Sequence, residues 1–152
     1  MATGTRLDDT EMRAWQALLH GHQQVIRTLD RELRSEHDLP LPAYDVLLRL
    51  AGAPERALRM SDLAERVGLS PSGLTRLVDR LEAKDLVRRQ PDPSDGRGAL
   101  ARLTDAGLRQ LRLAARTHLR GIREHFTGRL SKAQLRNLAS ALETIAGPHH
   151  RH

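Results

Sequence analysis

Met60-Ser-Asp-Leu-Ala-Glu-Arg-Val-Gly-Leu-Ser-Pro-Ser-Gly-Leu-Thr-Arg-Leu-Val-Asp-Arg-Leu81 reads as two short helices around a turn. Ser61 is the expected cap of the first, whose inward residues are Leu63, Ala64 and Val67. Gly68 falls where the chain must reverse, and glycine takes a positive φ without steric cost. Ser70 caps the second helix, with Pro71 in its first turn, where no amide hydrogen is missed. Leu74, Leu77, Val78 and Leu81 then form one apolar stripe at i, i+3, i+4 and i+7. This grammar of cap, turn and cap is that of a helix-turn-helix. The opposite face of the second helix carries Ser72, Gly73, Thr75, Arg76, Asp79 and Arg80. Small residues at its start allow close approach to base edges, and Arg76 and Arg80, four apart, can reach guanines or phosphates. Taken alone, the same face also fits an ordinary solvated helix.

Upstream, helical spacing of Trp15, Leu18, Leu19, Val25, Ile26, Leu29 and Leu33 predicts one long amphipathic helix from Asp8 to about Ser35. His37-Asp-Leu-Pro-Leu-Pro42 should stop it, and Ala43–Ala51 should form a shorter helix closed by Gly52-Ala-Pro54. Downstream, Leu86–Gln90 and Ala99–Leu103 read as two short strands. Between them, the prolines and glycines of Pro91-Asp-Pro-Ser-Asp-Gly-Arg-Gly98 are expected to turn. The tip carries Arg97, suited to a narrow minor groove, with Asp95 placed to orient its guanidinium. The alternative is a surface turn with a routine ion pair. Thr104 should cap a fifth helix reaching about Phe126, and Ser131 a sixth running to Ile145.

Met60–Leu81 followed by Asp95-Gly-Arg97 and Leu103-Thr-Asp-Ala-Gly107 resembles the MarR family of bacterial winged helix-turn-helix regulators. The resemblance spans about Leu39–Leu142. It implies a mainly α protein with a two-stranded β-wing, whose N- and C-terminal helices form a dimerisation region. It also implies that the second helix of the motif enters the major groove and that the wing arginine reaches the minor groove. The family's roles carry over to Ser70, Ser72, Thr75, Arg76, Asp95 and Arg97 as DNA-contacting or wing-orienting residues. Gly73 stands where such helices often hold a larger polar residue. The expected layout is a dimerisation helix in residues 1–36 and a DNA-binding lobe in 37–103. Dimerisation helices in 104–146 and a frayed tail in 147–152 complete it. In that family small aromatic or phenolic anions often bind between the dimer helices and the DNA-binding lobe, which makes Trp15, His22 and Tyr44 candidate walls for an effector. For His22, on the apolar face of the first helix, a satisfied core or interface histidine is the competing reading.

Composition bounds the remaining possibilities. The chain has 152 residues, 39% of them apolar, and a formal charge of +6; its mean hydropathy is −0.52. The positive charge favours a polyanionic partner. Arginine outnumbers lysine heavily, since only Lys84 and Lys132 are lysines; arginine suits bidentate contact with phosphate and guanine, although a GC-rich gene would produce the same bias. Trp15, Tyr44 and Phe126 are the only aromatic residues, too few for base stacking along single strands. With no cysteine, thiol nucleophiles, thiolate metal sites and cysteine redox sensing are excluded. No apolar run is long enough to cross a bilayer, and Met1–Leu7 lacks a signal pattern, so a cytoplasmic address is expected. The chain shows no phosphate-binding glycine loop, nucleophile elbow or zinc-binding His-Glu-x-x-His, and is read as no enzyme with no cofactor. His118 and His125, seven apart, do not have the spacing of a helical metal pair; His149, His150 and His152 are in the tail.

Arg109, Arg112, Arg116, Arg120 and Arg123 form a stripe on the fifth helix, opposite Leu108, Leu111, Leu119, Ile122 and Phe126. It is either a solvated face or a surface that steers DNA or an anionic effector. Counter-charges from Glu32 or Glu36 would relieve its self-repulsion. The expectation is a homodimeric, double-stranded-DNA-binding regulator acting on a pseudo-palindromic operator, by default a repressor released by a small effector. The alternative is a winged-helix protein–protein adaptor.

Overall fold

A computed structural model describes residues 6–147, so the tail histidines and the first residues of Met1–Leu7 lie outside the described residues. The described residues hold six α-helices and one small sheet, with short 3-10 turns at Pro54–Arg56 and Thr127–Arg129: α1 (Asp9–His37), α2 (Leu41–Ala51), β1 (Ala57–Arg59), α3 (Met60–Val67), α4 (Pro71–Ala83), β2 (Val87–Asp92), β3 (Asp95–Leu103), α5 (Asp105–His125) and α6 (Lys132–Ala146). Asp8 caps α1 in a capping box with Glu11, and Asp38 closes it in the left-handed region. Helix α2 starts two residues before the expected Ala43, because Pro42 is accepted in a first turn whose amide hydrogens have no partner in any case. Gly68 ends α3 at φ 68°, as the helix-turn-helix reading requires.

The wing is larger than expected. A third strand, β1, lies beside β3, giving an antiparallel sheet of order β1-β3-β2. Ala57 pairs with Arg102, Leu58 with Ala101 and Arg59 with Leu100. Strands β2 and β3 pair from Val87–Leu103 to Asp92–Asp95, so the turn contracts to Pro93 and Ser94. Proline at position 91 is tolerated because β2 is an edge strand and its missing amide hydrogen costs no ladder bond. Ser61 does not cap α3. Arg59 leads straight from β1 into the helix and occupies the cap position without a side-chain bond.

The core gathers one face of every element of the helix-turn-helix lobe. Val46, Leu47 and Leu50 of α2, Leu63 of α3, Leu74 and Val78 of α4 and Val87 of β2 are essentially inaccessible. The N-terminal half of α5 joins them through Leu111 and Ala114. Thr104 caps α5 by accepting from the Gly107 amide at 2.9 Å, while its own hydroxyl donates to the Asp85 carbonyl at 2.6 Å. Gly107 is required by contact, since a Cβ there would lie 2.1 Å from the Leu86 carbonyl oxygen. The wing root and the start of α5 are thereby fused to the end of α4.

Helix α1 packs along α5 through a polar seam. The Thr117 hydroxyl donates to Glu36 Oε2 at 2.9 Å, so His37 Nε2–H, 2.8 Å away, must be its donor. Arg120 reaches Glu36 at 2.6 Å, supplying one of the expected counter-charges to the arginine stripe. Glu32 instead takes His125, also at 2.6 Å. Gly121 lets the helices close: a Cβ would meet Glu32 Oε2 at 2.5 Å and Leu29 Cδ2 at 2.7 Å. Leu119 does not join the apolar face assigned to it and is 63% exposed. Helix α6 is capped by Ser131 in a box with Gln134, yet buries none of its residues.

Candidate nucleic-acid interface

Leu74, Leu77, Val78 and Leu81 sink one side of α4 into the core, and this fixes which side chains face out. Ser70, Ser72, Thr75, Arg76, Asp79 and Arg80 are exposed, with Gly73 partly covered. Ser70 Oγ accepts from the Gly73 amide at 3.1 Å and lies 3.3 Å from Ser72 Oγ. Thr75 Oγ1 donates to the Pro71 carbonyl at 2.9 Å, which leaves its oxygen free as an acceptor. Arg80 Nε leans on the Arg76 carbonyl at 3.4 Å. Neither Arg76 nor Arg80 has an acidic partner within ion-pair distance among the described residues, so both guanidinium groups are available to an external anion.

The wing tip is built around Asp92, a residue the sequence reading passed over. Its side chain is 4% exposed and faces Arg59 Nε at 2.8 Å. It accepts from the amide and hydroxyl of Ser94 at 2.9 and 2.7 Å. The Ser94 bonds, aided by Arg59, hold its carboxyl below the usual carboxylate range. Arg59 also donates to Ser94 Oγ at 2.6 Å, tying β1 to the turn. Asp95 does not grip the Arg97 guanidinium as expected. Its carboxylate accepts from the Arg97 backbone amide at 3.1 Å, bracing the backbone and leaving the arginine head exposed. A short-range sign of this lay in the sequence, because an aspartate side chain commonly bonds a backbone amide two residues on, as Asp92 does with Ser94 and Asp95 with Arg97.

Of the suggested effector residues, only His22 lines the apolar groove between α1 and α6 within one chain. Trp15 is 52% exposed on the N-terminal part of α1. His22 shares that groove, of about 330 Å³, with Leu18, Val25, Phe126, Leu138 and Leu142. Tyr44 is buried in α2, its ring centroid 4.6 Å from that of His118. Burial raises the Tyr44 phenol and lowers the His118 imidazole. No cluster of three metal-ligating side chains exists among the described residues, and none of their helices is long and apolar enough to cross a membrane.

The sequence profile of the MarR family matches residues 37–98, from the end of α1 to the wing tip. The chain is 28% identical over 131 residues to the HTH-type transcriptional repressor IacR of Pseudomonas putida, covering 86% of this chain and 75% of that protein. Among solved structures it superimposes on Sco3205, a MarR family transcriptional regulator from Streptomyces coelicolor crystallised in complex with DNA. The TM-score is 0.89, with 33% identity, 96% of this chain and 91% of that one covered. AbsC, a MarR family transcriptional regulator from the same organism, gives a TM-score of 0.87 at 35% identity, covering 94% of this chain and 96% of its own.

Proposed function

Because this chain belongs to the MarR family of transcriptional regulators, we propose that it is a homodimer that binds double-stranded DNA sequence-specifically and represses transcription until a small molecule releases it. The observation that carries this reading is the pairing of two unneutralised basic elements on one lobe: the outward face of α4 with Arg76 and Arg80, and the wing tip with Arg97. Helix α4 would lie in the major groove, its first turn close to base edges through Ser70, Ser72, Gly73 and Thr75. Asp95 would brace the wing backbone while Arg97 enters the adjacent minor groove.

Dimerisation is supported by apolar surface that one chain leaves uncovered. Met12, Trp15, Leu18, Leu19 and Ile26 of α1 are each about two-fifths or more exposed, and Leu142 and Ile145 of α6 are likewise uncovered. A helix that is amphipathic yet buries nothing belongs to an interface. In this reading residues 1–36 and 104–146 pair the protomers and 37–103 form the DNA-binding lobe. A two-fold axis would set half-sites about 10 bp apart. His22 would then be a wall of the subunit interface, and an aromatic or anionic effector would act by changing the separation of the two lobes. The expected setting is the cytoplasm.

The test is a titration of the purified protein against its own upstream intergenic DNA at two salt concentrations with competitor DNA. Competitor-resistant binding at one dimer per site is expected. Weak binding that falls steeply with salt, with no sequence preference, would reduce the proposal to a basic surface. No binding at low salt would favour the adaptor reading instead.

A further inference from the structure

Arg89 of β2 is the most heavily engaged arginine in the DNA-binding lobe. Its Nη1 lies 2.7 Å from Asp79 Oδ1 and 2.8 Å from Glu82 Oε1, and Nη2 donates to the Thr75 carbonyl at 3.0 Å. Its backbone amide donates to Glu82 Oε2 at 2.9 Å. Thr75, Asp79 and Glu82 are i, i+4 and i+7, so one guanidinium spans two turns along a single stripe of α4. Its side chain is only 26% exposed, and the planar fork satisfies three acceptors at once, which a lysine ammonium at the end of a flexible stem would do poorly.

We propose that Arg89 is a positioning residue for DNA recognition, fixing the angle between the recognition helix and the wing while neutralising two carboxylates beside Arg76 and Arg80. The inference rests on the regulator reading and adds how its two DNA-facing elements are coupled. The lever is short and stiff. From Arg89 the edge strand runs three residues to Asp92, about 10 Å at strand rise, and there the Asp92–Arg59–Ser94 cluster fixes the turn that carries Arg97. An error in direction at Arg89 is therefore delivered to the tip. Without Arg89, Asp79 and Glu82 would face the approaching phosphates uncompensated, directly beside the two arginines that should meet them.

The experiment uses the full chain and a duplex selected by the wild-type protein from random-sequence DNA, with affinities measured by anisotropy for Arg89→Ala, Arg89→Lys, Arg97→Ala and the two combinations with Arg97→Ala. Arg89→Ala is expected to weaken binding about tenfold or more, the scale of groups acting in one network. The decisive readout is coupling: the fold-loss caused by Arg97→Ala should shrink, on a logarithmic scale, to less than half its wild-type value once Arg89 is alanine. Arg89→Lys should restore less than half of that coupling. If Arg97→Ala costs its full wild-type factor in either background, Arg89 does not position the wing. Should Arg89→Ala fail to fold, Asp79→Ala/Glu82→Ala removes both side-chain acceptors of the same guanidinium from the helix side, and an undiminished Arg97 effect there overturns the proposal equally. A wild-type chain that selects no sequence would instead remove the regulator reading on which this role depends.

Discussion

Replacing Gly107 by alanine should destabilise the protein out of proportion to the single methyl it adds. The new Cβ would sit 2.1 Å from the Leu86 carbonyl oxygen and 2.6 Å from Leu103 Cδ1. The Leu103 side chain can rotate; the carbonyl cannot. It must retreat by more than an ångström, and it is the acceptor of the Thr104 amide at 3.1 Å. The Thr104 hydroxyl, anchored on the neighbouring Asp85 carbonyl, is also the cap of α5. Overpacking costs about 1–3 kcal/mol, and a weakened amide bond and cap add about 1 kcal/mol each. Better helix propensity returns about 1 kcal/mol. The expected net loss is roughly 2–4 kcal/mol, lowering Tm by at least about 5 °C in a chain of this size. Urea unfolding followed by circular dichroism, at one fixed protomer concentration, measures it. Gly52→Ala is the control: its φ is −84° and its nearest neighbours are 3.8 Å away, so it should be neutral or slightly stabilising. A Gly107→Ala variant within about 0.5 kcal/mol of wild type would refute the argument from contact, because surface substitutions alone stay in that range.

Arg97→Ala should weaken operator binding by about 1–3 kcal/mol, the scale of one good arginine contact; full affinity would mean that the wing tip does not touch DNA. Leu142→Glu on α6 should weaken self-association by about 2 kcal/mol or more, as truncation at an interface centre does, with an unchanged sedimentation profile arguing against α6 as the interface. Ser70→Ala should cost about 1 kcal/mol in urea unfolding, because the Gly73 amide at the start of α4 loses its acceptor. Burial lowers the His118 pKa, so the unfolded chain takes up this proton first as acidity rises, and stability should decline below about pH 6.5. His118→Gln should flatten that decline between pH 7.5 and 5.5, whereas equal slopes in the two proteins would assign the effect to other groups.

The parts of this protein that sequence alone determined are those whose cause is local. Ser70, Thr104 and Ser131 cap their helices, and Gly68 turns the chain, because each bond or dihedral involves residues no more than three apart. The outward set on α4 followed from a helical period with one apolar stripe. The remaining features depend on residues brought together from distant parts of the chain. Three residues are too few to show a strand period, so β1 exists only because β3 offers it a free edge. Pro91 reads locally as a turn but sits in a strand, since its side of β2 has no neighbour to bond. Asp92 and Arg89 look like ordinary surface charges until folding sets them against Arg59 and against the flank of α4. Within one chain His22 lines the groove between α1 and α6 while Tyr44 packs beside His118, because helical period sets a side chain's face and only packing sets which neighbours that face meets.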